Sequence, residues 1–171
     1  AIDKLEKEID EMKGNIFYFI KSLEDDTVEG GKFYILILDH LQDMVQSIGF
    51  ITRSSYNHVH NNHKNLKFNQ IRDLKSIDDK LQNLFDRVQT IFELHSFHNL
   101  ENVIAEKKEL LEFVSDLIQK QINRIRTTET SPKNSKLYFG LLLETKDLIT
   151  STMILLQLFQ QFHQEAKQTT Y

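Results

Sequence analysis

Two aspartates four residues apart, Asp39 and Asp43, are the first side chains in this sequence placed to do chemistry together. On a helix, positions four apart lie one above the other, so both carboxylates would project from one side. Such a pair offers oxygen ligands to a hard divalent cation or to iron. Glu6 with Asp10, Asp25 with Glu29, and Glu112 with Asp116 repeat the spacing. The chain carries 25 Asp and Glu in 171 residues, and random placement at that density gives about 3.6 such pairs. Four are present, so the spacing is not enriched and a solvated helix face accounts for any one of them.

His58, His60 and His63 fall within six residues. Neutral imidazole is the commonest metal ligand, and His60 and His63 could share a helix face. His58 and His60 would be splayed about 200° apart on the same helix. The alternative is a terminal turn, where polar residues are at home and a protonated histidine meets the negative end of the helix dipole. His40, His95 and His98 are scattered.

Other chemistries are poorly supplied. Ser54, Ser55 and His58 are close in sequence, but hydrolysis needs nucleophile, base and oxyanion site convergent in a pocket. Gly30-Gly31 lacks the lysine and spacing of a nucleotide cradle. Basic residues cluster from Lys120 to Lys136 without the interleaved aromatics of a nucleic-acid surface. The chain has no cysteine, which excludes disulfides, thiolate metal sites and cysteine nucleophiles. With a formal charge of -4 and a pI near 6.0, no chain-wide positive field attracts nucleic acid or acidic lipid. No catalytic activity is expected.

The elements that position these groups are helices. One proline and five glycines are too few for the frequent turns of an all-β fold. The N-terminal AIDKLEKEID is too charged for a signal peptide. The greasiest stretch, Leu148 to Phe159, is too short and polar to span a bilayer. Five helical segments are expected, forming an all-α antiparallel bundle of four to five long helices within one domain, residues 1–171.

The first segment carries Leu5, Ile9, Met12, Ile16, Phe19 or Ile20, and Leu23, and stops at Glu24-Asp25-Asp26. Asp26 or Thr27 would cap the second, which runs to about His63. Its seam would be Ile37, Leu41, Met44, Ile48, Ile51, Ser55 and Val59, with Asp39, Asp43 and Gln46 opposite. An aspartate at Leu41 would then cost several kcal/mol. Asn69 would cap the third segment, with Ile71, Leu74, Ile77, Leu81, Leu84, Val88 and Ile91 inward. Ser96 or Asn99 would cap the fourth, with Val103 or Ile104, Leu110, Val114, Leu117, Gln121 and Ile125 inward. Ser131 followed by Pro132 opens the fifth, which extends to about Gln168.

Two stretches are apolar all round, Phe33–Leu38 and Leu137–Leu143, and Met153–Leu156 is nearly so. A turn of that kind is either centrally buried or docks a partner. If the latter, Phe33, Leu36, Phe139, Leu143 and Ile154 would form a dimer or interdomain contact.

The run LDHLQDMVQSIGFITRSSYNHVHNNHK, the aspartate of FYILILDHL and the later KLYFGLLLETKDLI resemble the soluble C-terminal domain of bacterial inorganic phosphate permeases of the PiT type, especially from Bacteroides-like bacteria. The likeness covers most of residues 28 to 160. Such domains are similar to PhoU, the helical-bundle regulator of phosphate uptake. The resemblance implies a PhoU-like bundle on the cytoplasmic side of the inner membrane, belonging to a larger integral membrane transporter. Its partner would be the membrane-spanning part of the same chain, with no nucleic acid and no membrane insertion of the domain itself; a start without methionine fits that expectation. PhoU proteins are also implied to hold metal clusters on Glu/Asp-x-x-x-Asp motifs. Asp39 and Asp43 fit that pattern. Glu144 and Asp147 depart from it, being three apart, but could share one acidic surface with the first pair and a divalent cation or iron.

The resemblance therefore implies a non-catalytic regulatory or interaction domain of a phosphate transporter. A rival from another class is a stand-alone helical metal-binding protein or metal-dependent enzyme built on Asp39, Asp43, His40 and the histidines near 60. Its signature would be paired Glu-x-x-His motifs, and the chain has none. A purely structural dimerisation module is the third reading.

Overall fold

A computed structural model describes residues 1–22, 28–128 and 130–168. The described residues form six helices: α1 (Ile2–Gly14), α2 (Ile16–Ser22), α3 (Val28–His60), α4 (Phe68–Leu94), α5 (Leu100–Thr127) and α6 (Pro132–Gln168). The chain is all-α, with four long helices. The expected stop at Glu24-Asp25-Asp26 and the cap at Asp26 or Thr27 lie outside the described residues. The first expected segment is two helices, parted at Asn15. Gly14-Asn15 is a weak spot for helix, since glycine loses the most backbone entropy and asparagine competes for backbone hydrogen bonds.

α4, α5 and α6 share one apolar interior. Ile77, Leu84, Val88 and Ile91 of α4 meet Leu100, Val103, Leu110, Val114 and Leu117 of α5, and Tyr138, Leu142, Ile149, Met153 and Leu156 of α6. These residues recur at the three- and four-residue spacing of one helix face. Two expected inner positions do not belong: Ile71 and Ile125 are exposed. In the first turn of α4 the inward position is taken by Gln70, which turns the adjacent Ile71 outward, and Ile125 lies one turn beyond the buried Gln121.

α3 lies outside this unit and packs along α6. The two run antiparallel, with Phe33 edge-on to Phe162 and the Phe50 ring against Gly140. α1 in turn packs on α3, burying Ile9. The short 61–67 connection does not make α3 and α4 packed neighbours, contrary to the usual expectation for short connections.

Being held between α1 and α6, α3 has no single seam. Ile37, Leu41, Met44, Ile48, Ile51 and Ser55 are half-buried and Val59 is exposed. Among the described positions the buried ones are instead Gly31, Phe33, Leu38, Val45, Ser47, Gly49 and His58. The costly site for an aspartate is therefore Leu38, 2% exposed, rather than Leu41, whose side chain reaches water. Asp39, Asp43 and Gln46 do face solvent, as expected.

α6 starts with Ser131 as N-cap and Pro132 at the first helical position. The Asn134 amide donates to Ser131 Oγ at 3.4 Å. At α4 the cap is Lys67 rather than Asn69. The Lys67 amide donates to Gln70 Oε1 at 2.9 Å, one half of a capping box.

Candidate functional site

An open groove of about 670 Å³ runs between α3 and α6. α3 lines it with Asp43, Gln46, Ser47, Phe50, Arg53, Ser54 and Asn57, and α6 with Glu144, Asp147, Thr150 and Ser151. Antiparallel packing brings these distant segments together. Phe50 is the one apolar residue of the lining; the other side chains end in polar groups.

Three of the four expected acidic residues, Asp43, Glu144 and Asp147, line this groove; Asp39 does not. Arg53 supplies the opposite charge, but its guanidinium is already paired with Glu6 Oε1 of α1 at 3.1 Å. The groove is thus net acidic, suited to ammonium or guanidinium groups rather than to anions. Among the described residues no three His, Asp or Glu side chains converge as a metal site would require. The acidic residues share a surface without forming a ligand cage. His40 Nδ1 stands 4.0 Å from Asp43 Oδ2, beyond hydrogen-bond reach, and has no hydrogen-bond partner among the described residues.

The three histidines take separate roles at the end of α3 and in the turn beyond it. His58 is buried, and its Nε2–H donates to the Lys64 carbonyl at 3.0 Å, closing the turn. His63 meets the His58 ring edge-on at 5.2 Å. His60 stacks on Tyr56 instead. Desolvation, with Lys133 and His58 nearby, holds the His63 pKa below its ordinary value. The neutral His63 thereby favoured fits a close-packed turn.

One cluster was not foreseen in the sequence. Where α4 and α6 begin and α5 ends, Gln70 Nε2 donates to Gln121 Oε1 at 3.1 Å, and Gln121 Nε2 donates to Ser135 Oγ at 3.1 Å. Arg124 reaches both Gln121 Oε1 and Asp73 Oδ2, each at 3.2 Å. The Tyr138 hydroxyl donates to Asp73 Oδ2 at 3.4 Å. Burial, and then the Asp73 carboxylate, raises the Tyr138 pKa. Asn134 Nδ2 ties α6 to the Asn65 carbonyl at 2.8 Å. A buried network of this kind fixes helix register; its one open position among the described residues is Asn134 Oδ1, which is buried without a partner. Gln121 within an apolar face was the one signal of it; its partners depend on inter-helix register.

Of the apolar turns, α6 is centrally buried through Tyr138, Leu141 and Leu142, whereas Leu143 is 51% exposed. Phe33 is buried within the chain against Phe162, so it offers no partner contact. Leu36, Phe139 and Ile154 are half-buried. Comparison with known proteins finds no match among family models, curated proteins or solved structures.

Proposed function

We propose that this chain is a non-catalytic regulatory or interaction domain of an inorganic phosphate transporter, with the α3–α6 surface as its working face. One observation carries the reading. The segments that bear the resemblance, FITRSSYNHVHNNHK in and after α3 and KLYFGLLLETKDLI in α6, lie far apart in sequence yet sit side by side. Phe50 rests on Gly140, Asn65 bonds Asn134, and the groove opens along the same pair.

The domain would act by differential contact: a basic segment of the membrane-spanning part seats in the groove in one transport state and not in the other, biasing their equilibrium. The carboxylates of Asp43, Glu144 and Asp147 supply the complementary charge.

The test is radiolabelled phosphate uptake by the protein of origin, in cells lacking other phosphate uptake, with and without residues 28–168. A second arm carries Glu144→Lys with Asp147→Lys. The reading expects altered uptake, or an altered response to external phosphate, in both arms. Unchanged curves in both would sink it.

A further inference from the structure

The chain's net charge conceals a strong separation of charge along its length. From residue 44 to 72 there is no Asp or Glu, and from 117 to 143 there is only Glu129, outside the described residues. These two stretches meet at one end of the molecule, where α3 and α5 finish and α4 and α6 begin. The Asn134–Asn65 bond and the Gln70–Gln121–Ser135 chain hold them together.

Lys64, Arg72, Lys120, Arg126, Lys133 and Lys136 are all exposed at this end. None makes an ion pair with a described residue. Elsewhere Lys4, Lys7, Arg53, Arg87 and Lys108 each find a carboxylate. The one described carboxylate at the basic end, Asp73, is taken by Arg124 and Tyr138. Helix dipoles neither add to nor cancel this charge, since two helices start here and two stop.

The same end carries exposed apolar side chains. Phe68, the first residue of α4, is 81% exposed, and Val59 in the last turn of α3 is 74% exposed. Tyr56, Ile71, Ile122 and Ile125 are exposed within about two turns of the same helix ends. The register set by Gln70–Gln121 and Arg87–Glu106 puts Ile71 level with Ile122, and Phe68 level with Ile125.

We infer that this end of the molecule docks peripherally on an anionic lipid surface. Unpaired cations alone would suit any polyanion. Exposed aliphatic side chains among them gain nothing from phosphodiesters, but gain from the boundary between headgroups and acyl chains. No helix of the described residues is long and apolar enough to cross a membrane, so the contact is superficial. The other exposed aromatic pair, Phe17 and Tyr18 of α2, follows the acidic helix α1 and gives the natural control. The inference stands on charge and exposure, independently of any transporter.

The test is co-sedimentation of the whole chain with vesicles of phosphatidylcholine, with and without phosphatidylglycerol. Binding is expected only to the anionic vesicles, weakening as salt is raised. Lys64→Glu, Arg126→Glu and Lys133→Glu should each cost at least about fivefold in vesicle affinity, the share of one basic charge near the surface. Phe68→Ser should cost about tenfold, and Phe17→Ser should cost nothing. Each variant sits on the surface, and its helicity by circular dichroism shows that it is folded. Equal binding to both vesicle types, no binding to either, or equal loss in Phe17→Ser would overturn the inference. So would binding to duplex DNA or polyphosphate without binding to vesicles, which would assign the basic end to a soluble polyanion.

Discussion

The two sides of α6 are packed in different ways. Toward α4 and α5 it presents Tyr138, Leu142, Ile149, Met153 and Leu156, all within one continuous apolar cluster. A second buried stripe, Leu141, Thr145, Leu148, Thr152 and Leu155, lies outside that cluster, and α3 is the helix that covers it. Both threonines there satisfy their hydroxyls locally, donating to the Leu141 and Leu148 carbonyls at 2.7 Å. On α3, Ser47 and Gly49 stand among the buried positions. Small residues and threonines let helices approach closely but bury less apolar area per turn. One side of α6 thus holds a core, and the other holds a helix that carries the groove.

Adjacent leucines give the sharpest way to break this contrast. Leu142→Ala empties part of the three-helix interior and should cost about 3–4 kcal/mol in denaturant unfolding. Leu141→Ala, one residue away and also buried, should cost about 2 kcal/mol because α3 settles toward the gap. Equal losses would erase the distinction.

The polar cluster at the basic end comes next. Asp73→Ala leaves Arg124 without its carboxylate and Tyr138 without its acceptor, and should cost about 2 kcal/mol in the same assay. Tyr138 also sets a pH limit. Its pKa lies above the ordinary value of 10 in the folded chain, so the folded state retains a proton that the unfolded chain releases. That stability is complete below the unfolded pKa and is lost as pH rises through the folded one. Alkaline unfolding of Tyr138→Phe should lack this component.

The smallest effect belongs to the α1–α3 contact. A Cβ on Gly49 would meet the end of the flexible Arg53 side chain at 2.5 Å. Arg53 swings aside and gives up an exposed pair with Glu6 worth at most about 1 kcal/mol. Helix propensity returns about 0.8–1 kcal/mol, so thermal unfolding should show Gly49→Ala unchanged or more stable by up to about 1 kcal/mol.

Much of the core side was legible in the sequence. Val103, Leu110, Val114, Leu117 and Gln121 of α5 are all buried as their spacing indicates, because α5 has its partners on one side. Ser131-Pro132 likewise marks the start of α6, a local signal with local cause. The face of α3 was not legible, because a helix gripped from two sides loses the polar stripe that periodicity relies on. The groove was half legible: Asp43, Glu144 and Asp147 stood out, but Arg53, Ser47 and Ser151 enter it only through the antiparallel register of α3 on α6. The basic end was also half legible: the cluster from Lys120 to Lys136 stands out in the sequence, but its meeting with Lys64 and Arg72 depends on how the helix ends come together.

The contrast to be tested is between α3, held on α6 along a stripe that mixes leucines with threonines, and the continuous apolar interior of α4, α5 and α6. Native-state hydrogen exchange read residue by residue tests it most directly. Amides around Leu38 and Val45 should exchange through partial openings of α3, at free energies clearly below those of Val114, Leu117 and Leu142, which exchange only on global unfolding. Equal protection at both sets of positions would contradict it.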